Sequence, residues 1–363
     1  MTNPRPHTEA EGNELEALDT KIIELVKRRC ELAAQQTSGP GAGPGVPPSV
    51  RARDRIEAPA GAPAGGGQTI HKTQTAVLRE IYSAEVALQQ PSTVAFLGPE
   101  ATHTHQAAIH CFGNAANVVG RETIDDVFED VEKGRADFGV VPVENSTYGG
   151  VSNTFDMFHT AAVKVCAELN LRIHHHLLSL GDLADLKVIY SRDQGFGQCR
   201  RWLQQNLPQC RLVDVESTAA AARKAAADPT AAAIASALAA DHYGLTILRR
   251  NIEDLKENIT RFLVIGRTEP SPTGDDKTSL MLVIKDRVGA LFDALKAFND
   301  SNVNLTLIES RPSRQKSWTY FFFVDFTGHM SDDQSQQLLG ELAQHCESVK
   351  HLGSYPRART VEE

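Results

Sequence analysis

Short apolar strands that end in small polar residues alternate with helices over residues 93–267 of this 363-residue chain. A strand predicted at Thr93–Leu97 runs into a Gly-Pro turn and a helix start, and a strand at 138–143 runs into Glu144–Gly150. This alternation indicates an α/β sheet. We predict two lobes with a cleft between them. Solute-binding proteins share that layout, so the fold by itself leaves the function open.

The most informative polar residues come directly before a predicted buried strand. Phe262–Ile265 is an apolar run closed by Gly266, and Thr260 and Arg261 come directly before it. Ligands collect at strand ends of open α/β sheets. An arginine can bind a carboxylate through two hydrogen bonds, and a threonine hydroxyl can deliver or receive a proton. On these residues alone, a turn-capping threonine and a surface ion pair form the simpler interpretation.

The composition limits the classes of protein to which the chain can belong. Its net charge of −9 disfavours general nucleic-acid binding. The sequence has no apolar run of about eighteen residues to predict a membrane span, and its first residues lack the apolar core of a signal peptide. The six cysteines show no C-x-x-C spacing, which is typical of a reduced cytoplasm. We therefore expect a cytoplasmic protein without nucleic-acid or membrane partners.

Two polar segments at predicted element ends are candidates for ligand binding. Thr102–Gln106 begins a helix and points backbone N–H groups where an anion can bind, although Thr102 and Thr104 also suit helix caps. Asn145–Thr147, backed by two glycines, suits a small polyoxygenated ligand or an ordinary turn. His174–His176 lies on a predicted strand without acidic or cysteine partners nearby, so no metal site is expected.

The N-terminal region predicts helices. One is predicted from Glu14 to Gln36, where Arg29 completes an apolar stripe of heptad-like spacing. The other members of the stripe are Leu15, Leu18, Ile22, Leu25 and Leu32. Because a cation on an apolar seam is costly unless an anion meets it, Arg29 is a snorkelling side chain, an inter-helix ion pair or part of an anion site. Residues 38–67, rich in Gly, Pro and Ala, predict a linker without a stable helix, and a second helix follows over about 73–89.

Three separated motifs resemble those of prephenate dehydratases in order and spacing. They are Val94–Ala108, Gly139–Thr147 and Asn258–Phe262. The resemblance implies a two-lobed, periplasmic-binding-protein-like catalytic domain over residues 92–268, in which prephenate loses carbon dioxide and water to give phenylpyruvate. Aromatisation drives this reaction, so no metal and no other cofactor is implied. The sequence departs from the family pattern at Ala101, where glycine is expected, and at His103, where tyrosine or phenylalanine is usual.

The resemblance also implies roles for residues of these motifs. Thr260 is the family's candidate proton donor to the ring hydroxyl that leaves as water. Arg261 suits a substrate with two carboxylates, and Phe262 completes the catalytic motif. The residues expected to bind the substrate are Thr102, His105, Gln106, Glu144, Asn145, Ser146, Thr147, Ser217 and Thr218. A threonine is not acidic in water, so the surroundings of Thr260 must assist it.

The C-terminal segment predicts a β-α-β-β-α order, which implies an α+β ferredoxin-like fold. It resembles the ACT regulatory domain over residues 277–356. The resemblance implies a phenylalanine site between two such domains, lined by Gly289, Ala290, Leu291, Glu309, Ser310, Arg311 and Pro312. A strand-end turn is the alternative for residues 309–312. A homodimer or homotetramer is therefore expected.

Residues 10–90 resemble an all-helical chorismate mutase domain, through 15–29 and Leu78–Ser83. That family clamps a dianionic substrate with several cations across an intertwined helical dimer. Arg29 matches one of these cations, but Gly12 stands about where another is expected, which would leave the carboxylates of chorismate under-compensated. We predict a decayed or weak mutase that serves as a dimerisation arm.

Two alternatives stay open on the sequence. One is a bifunctional enzyme that also converts chorismate to prephenate. The other is a non-catalytic sensor that binds an aromatic acid in the cleft and phenylalanine in the C-terminal module. Arogenate is a further candidate substrate for the dehydratase reaction.

Overall fold

The computed structural model describes residues 9–35, 47–57, 67–89, 91–312 and 320–361. The chain opens with three helices, α1 (Glu9–Gln35), α2 (Pro48–Glu57) and α3 (Gly67–Gln89). The prediction that 38–67 contains no helix was wrong for α2. Proline is tolerated in a first helical turn because the missing N–H has no intrahelical partner there, and Val50 and Ala52 bury their side chains. Residues 38–46 and 58–66 of the predicted linker lie outside the described residues.

Two α/β lobes and a C-terminal module follow. The elements of the lobes are β1 (Thr93–Leu97), α4 (His103–Phe112), β2 (Asn117–Arg121), α5 (Ile124–Glu132), β3 (Phe138–Asn145), β4 (Gly149–Gly150), α6 (Ser152–Thr160), β5 (Lys164–Arg172), β6 (His176–Ser179), β7 (Val188–Ser191), α7 (Asp193–Gln198), α8 (Arg200–Asn206), β8 (Arg211–Asp214), α9 (Thr218–Ala225), β9 (Ala231–Ala235), α10 (Ala237–Tyr243), β10 (Thr246–Arg249) and β11 (Ile259–Gly266). Those of the module and the chain end are β12 (Asp276–Ile284), α11 (Ala290–Asp300), β13 (Leu305–Pro312), β14 (Tyr320–Thr327), α12 (Asp333–His345), β15 (Cys346–Pro356) and β16 (Thr360–Val361).

Each lobe is built on its own sheet, which confirms the two-lobed α/β prediction. The first lobe has the strand order β16-β5-β11-β3-β1-β2, with β4 paired to β3, and the second has β10-β6-β9-β7-β8. The strand predicted to carry His174–His176 is instead broken between β5 and β6, because the chain leaves the first sheet there and enters the second. The two crossing segments bond to each other, with Ile173 N to Asn258 O at 2.8 Å and Ile252 N to His175 O at 2.8 Å.

Strand β11 runs through the middle of the first sheet and packs on both faces. Side chains alternate between the faces of a strand. Phe262 and Val264 join a core cluster with α4, whereas Leu263 and Ile265 join a cluster formed with α5, α6 and the C-terminal module. One face of β11 therefore lies under α4 and the other under the module.

The C-terminal module is a four-stranded antiparallel sheet of order β13-β14-β12-β15 with two helices, as the ferredoxin-like prediction requires. Its helices cover one face of the sheet, and Met281, Phe323 and Leu352 on the other face pack against the first lobe. At Gly353 an added Cβ would lie 2.3 Å from the carbonyl oxygen of Val165, so β15 approaches β5 closely. Among the described residues, no helix combines the length and apolarity that crossing a membrane requires.

Candidate active site

Thr260 lies at the start of β11, beside the end of β3. In the antiparallel register it stands opposite Asn145 on one side and Leu171 on the other. Cross-strand partners share a face of the sheet, so Thr260 and Asn145 both lie on the α4 face. The Asn145 side-chain nitrogen Nδ2 is 2.8 Å from the Thr260 hydroxyl oxygen.

The hydrogen bonds around Asn145 fix the direction of the one to Thr260. Asn145 Oδ1 accepts from the backbone N–H groups of Thr147 at 2.9 Å and Tyr148 at 3.1 Å, so the amide oxygen faces the loop and the NH₂ group faces Thr260. An NH₂ group only donates. The Thr260 oxygen is therefore the acceptor, and its own proton is free to be donated to a third group.

A chain of amides continues from Asn145 into the second lobe. Asn145 Nδ2 also donates to Asn258 Oδ1 at 2.8 Å, and Asn258 Nδ2 donates to Gln198 Oε1 at 3.0 Å. Gln198 ends α7, and its Oε1 also meets Nε2 of His175. Since that oxygen only accepts, His175 carries its proton on Nε2 when neutral, and its Nδ1 is left with a lone pair.

Unpartnered polar atoms gather at the far end of this chain. The ring of His103 meets that of His175 edge-on, with centroids 5.9 Å apart. Within the described residues, both ring nitrogens of His103, Nδ1 of His175 and Oε1 of Gln106 are buried without a well-aligned hydrogen bond, although the side chain of Gln106 lies beside the His103 ring. Native structures rarely leave such atoms without a partner. This cluster therefore has unused capacity for water or for polar groups of a ligand.

Burial keeps the cluster neutral. Desolvation, followed by the nearby ring of His175, lowers the pKa of His103 to about 3. Desolvation also lowers the pKa of His175. Near pH 7 the two rings thus offer neutral donors and acceptors. The sequence marked His103 as a departure from the family pattern but did not bring it together with His175, which lies 72 positions further along the chain.

Arg261 requires a correction, because its side chain lies on the opposite face from Thr260. It is 7% exposed, and its guanidinium bonds to Glu168, Asp325 and Tyr355. All three of its nitrogens are engaged inside the protein. In this arrangement, therefore, none of its nitrogens is left for the direct pairing with a substrate carboxylate that the sequence predicted.

Two other predicted residues are also placed away from the hydroxyl of Thr260. Phe262 is 1% exposed and belongs to the core beneath α4, so it supports the site without lining it. Glu144 stands opposite Arg261 in the β3–β11 register, which puts its side chain on the face of the C-terminal module.

Several residues predicted to bind the substrate use their side chains to shape the backbone. Thr102 caps α4, accepting from His105 N at 3.4 Å and donating to Pro99 O at 2.9 Å. The Ser146 hydroxyl donates to Glu257 O at 3.1 Å and accepts from Ile259 N at 2.9 Å. These bonds tie the loop after β3 to the segment that leads into β11, so the loop and Thr260 are held as one unit.

The other residues predicted to bind the substrate differ in burial and in hydrogen bonding. His105 accepts from Ala101 N at 3.0 Å through Nδ1 and stacks on Phe96. Ser217 caps α9 through a bond from Ala220 N at 3.0 Å. Thr147 is exposed and Thr218 is half-buried at the start of α9. No group of three or more side chains that could hold a metal occurs within the described ranges.

The predicted effector residues occupy two places in the C-terminal module. Gly289 precedes α11 with a φ of 79°, a left-handed conformation that favours glycine. Leu291 is exposed there, as are Val288 and Phe292. On β13, Arg311 Nε instead lies 3.4 Å from Asp156 of α6, toward the first lobe. Ala290 is buried at the start of α11, and Glu309, Ser310 and Pro312 lie on β13.

The N-terminal helices pair Arg29 with an internal carboxylate. Arg29 Nε lies 2.5 Å from Glu85 Oε1, and Glu85 is 4% exposed. The guanidinium groups of Arg29 and Arg51 each lie 4.9 Å from the ring centre of Tyr82. The interpretation of Arg29 as an inter-helix ion pair is thus confirmed. The apolar stripe of α1 stays exposed in the single chain at Leu15, Leu18, Ile22, Leu25 and Leu32.

Comparison with known proteins agrees with this architecture of a two-lobed α/β domain joined to a ferredoxin-like domain. The prephenate dehydratase family model matches residues 94–270, and the ACT domain model matches 278–344. A protein of Aquifex aeolicus named bifunctional chorismate mutase/prephenate dehydratase is 46% identical over 298 residues, which are 82% of this chain and 82% of that protein. A protein of the same name from Pseudomonas aeruginosa is 41% identical over 351 residues, 95% of this chain and 96% of that protein.

A solved structure supports the same family. The prephenate dehydratase of Arthrobacter aurescens in complex with L-Phe is 35% identical, with a TM-score of 0.68, and the match covers 73% of this chain and 90% of that chain. The chain therefore belongs to the prephenate dehydratase family and carries a C-terminal ACT domain.

The depressed pKa of His103 predicts a pH dependence of stability. Its pKa is about 3 in the folded protein against 6.5 for a free histidine, so the unfolded chain binds the extra proton as the pH falls below about 6.5. At pH 5 this costs the folded state about 2 kcal/mol. The His103→Phe variant is therefore expected to lose about 2 kcal/mol less than the native chain between pH 7 and pH 5 in denaturant unfolding. Equal losses in the two proteins would contradict the assignment.

Proposed function

We propose that this protein converts prephenate to phenylpyruvate, with Thr260 as the proton donor to the departing ring hydroxyl. The observation that carries the proposal is the hydrogen bond from Asn145 to the Thr260 oxygen, because it leaves the hydroxyl proton directed elsewhere. The bond also stabilises negative charge on that oxygen as the proton is transferred. This supplies the assistance that a weakly acidic threonine needs.

The reaction balances without a redox partner. The carbon–carbon bond to the ring carboxylate breaks, carbon dioxide leaves, and the electron pair of that bond enters the ring. The ring carbon–oxygen bond breaks as the hydroxyl takes the proton of Thr260 and leaves as water. The threonine regains a proton from solvent, and the ring becomes aromatic. No residue of the chain has to change its oxidation state.

The polar groups of the substrate have unused partners near this chain of amides. We assign the unpartnered atoms of His103, Gln106 and His175 to the end of the substrate distant from Thr260. The N-terminus of α4, which holds His103 and Gln106, adds the partial positive charge of a helix start for a carboxylate. With Arg261 engaged elsewhere, the N–H of neutral His103 and the start of α4 are the predicted contacts for a carboxylate, whereas the acceptors His175 Nδ1 and Gln106 Oε1 suit a hydroxyl or a water molecule.

The ACT domain supports control by phenylalanine, the molecule bound in the structure of the A. aurescens relative. We propose that phenylalanine binds between the ACT domains of two copies, near Gly289 and Leu291. The exposed apolar side chains Val288 and Phe292 beside them fit such a contact. A homodimer or homotetramer in the cytoplasm is the corresponding assembly.

The N-terminal helices are proposed to join copies of the chain and to have little or no mutase activity. The exposed apolar stripe of α1 needs a partner outside the single chain. The cation that matches the mutase family, Arg29, already has its charge met by Glu85. The bifunctional enzyme stays the second candidate, because relatives of that name match nearly the whole chain.

Replacing the hydroxyl of Thr260 tests the dehydratase proposal. Thr260→Val keeps the shape but removes the proton, so the kcat for phenylpyruvate formation from prephenate should fall by about 10²–10⁴-fold. Thr260→Ser should retain much of the activity, since it keeps the hydroxyl. Formation of phenylpyruvate is measured by absorbance, with circular dichroism as the check on folding. A fully active Thr260→Val variant, or native protein that binds prephenate without turnover, would contradict the proposal.

The mutase question has its own assay on the full chain. Supplied with chorismate, the protein is expected to form prephenate at least about a hundredfold more slowly than it consumes prephenate, because Arg29, the cation that matches the mutase family, already has its charge met by Glu85. Arg29→Ala should leave this background rate unchanged. A substantial chorismate turnover that Arg29→Ala abolishes would instead establish the bifunctional enzyme.

A further inference from the structure

Arg261 joins the strand that carries Thr260 to the ACT domain. Its Nε donates to Glu168 Oε2 at 2.7 Å, its Nη1 to Asp325 Oδ2 at 2.5 Å and its Nη2 to the Tyr355 hydroxyl at 3.0 Å. Glu168 belongs to β5 of the first lobe, whereas Asp325 and Tyr355 belong to β14 and β15 of the ACT domain. Two of its three partners therefore lie in the other domain.

The network around this arginine is buried and charge-balanced. Asp325 also accepts from the Ser279 hydroxyl at 2.6 Å, and that hydroxyl lies 2.7 Å from the hydroxyl of Tyr355. Lys277 of the ACT domain donates to Glu168 at 3.2 Å. The network thus contains two carboxylates and, counting Arg261, two cations. Removing one member of a buried set of charges leaves its partner without compensation, which is strongly unfavourable.

A second contact between the domains lies close to Asn145. The carboxyl carbon of Glu309 lies 3.3 Å from the place that a Cβ on Gly150 would occupy. Gly150 and Gly149 form β4, which pairs with Glu144 and Asn145 of β3. The β13 strand, which carries predicted effector residues, therefore rests on the loop that orients the donor to Thr260.

We infer that Arg261 is a positioning residue, which holds Thr260 in its active geometry and transmits the state of the ACT domain to it. This rests on the proposed dehydratase function. Thr260 and Arg261 are consecutive on one strand, so a displacement of Asp325 that moves the guanidinium also moves the backbone of Thr260. Asp325 stands opposite Leu307 on β13, two residues before Glu309. A change at the effector strand thus reaches Thr260 through β14 and Arg261.

Substitution of the ACT-domain partner tests this inference in the full chain. Asp325→Asn keeps the shape of the side chain and removes its charge. It is expected to lower kcat by about tenfold, to change KM for prephenate by less than about threefold, and to shift the half-inhibitory concentration of L-phenylalanine by about tenfold or more. Asp300→Asn, which removes an exposed carboxylate paired with Lys296 on α11, is the matched control and should change none of these values.

A milder variant keeps the test decisive if Asp325→Asn does not fold. Tyr355→Phe removes one neutral partner of Arg261 and leaves the charges balanced, so it should shift the phenylalanine response and kcat in the same direction by a smaller factor. A raised KM with an unchanged kcat and phenylalanine response would overturn the inference, because it would mark Arg261 as a substrate contact. Folded variants whose kcat, KM and phenylalanine response all equal those of the native protein would also overturn the inference. Failure of the dehydratase proposal would be distinguishable from failure of this inference, because the native protein would then form no phenylpyruvate.

Discussion

The alternation of side chains along one strand separates two functions that the sequence places side by side. Thr260 and Arg261 are neighbours in the chain, yet they lie on opposite faces of the first sheet, one under α4 and the other under the ACT domain. Successive side chains of a regular strand point to opposite faces of the sheet. We therefore propose that in this chain Thr260 serves the chemistry and Arg261 connects the two domains.

Hydrogen-bond direction gives Thr260 its proposed role. The loop after β3 fixes the amide of Asn145 through two backbone donors, and the amide then fixes which way the hydroxyl of Thr260 can donate. The same amide continues through Asn258 and Gln198 to His175 in the second lobe. Movement of the lobes relative to each other would therefore act on the chain of bonds that prepares the proton donor.

Much of the architecture could be predicted from local pattern, because apolar strands, polar strand ends and the β-α-β-β-α order are written in short stretches of sequence. The helix α2 was missed because burial of Val50 and Ala52 outweighs the low helix preference of a Pro- and Gly-rich neighbourhood. The partners of Arg261 were missed for a different reason. They are 93, 64 and 94 positions away. The pairing of β5 with β11 brings Glu168 to Arg261, and the packing of two domains brings Asp325 and Tyr355.

We propose that the substrate contacts Thr260 and not Arg261. A crystal structure of the full chain carrying Thr260→Val, with prephenate bound, tests it most directly, because the slow variant retains the unreacted substrate. We expect the ring hydroxyl beside the side chain at position 260, and no substrate carboxylate within about 4 Å of the Arg261 guanidinium. A carboxylate paired with Arg261, with the bonds to Asp325 and Tyr355 broken, would contradict it.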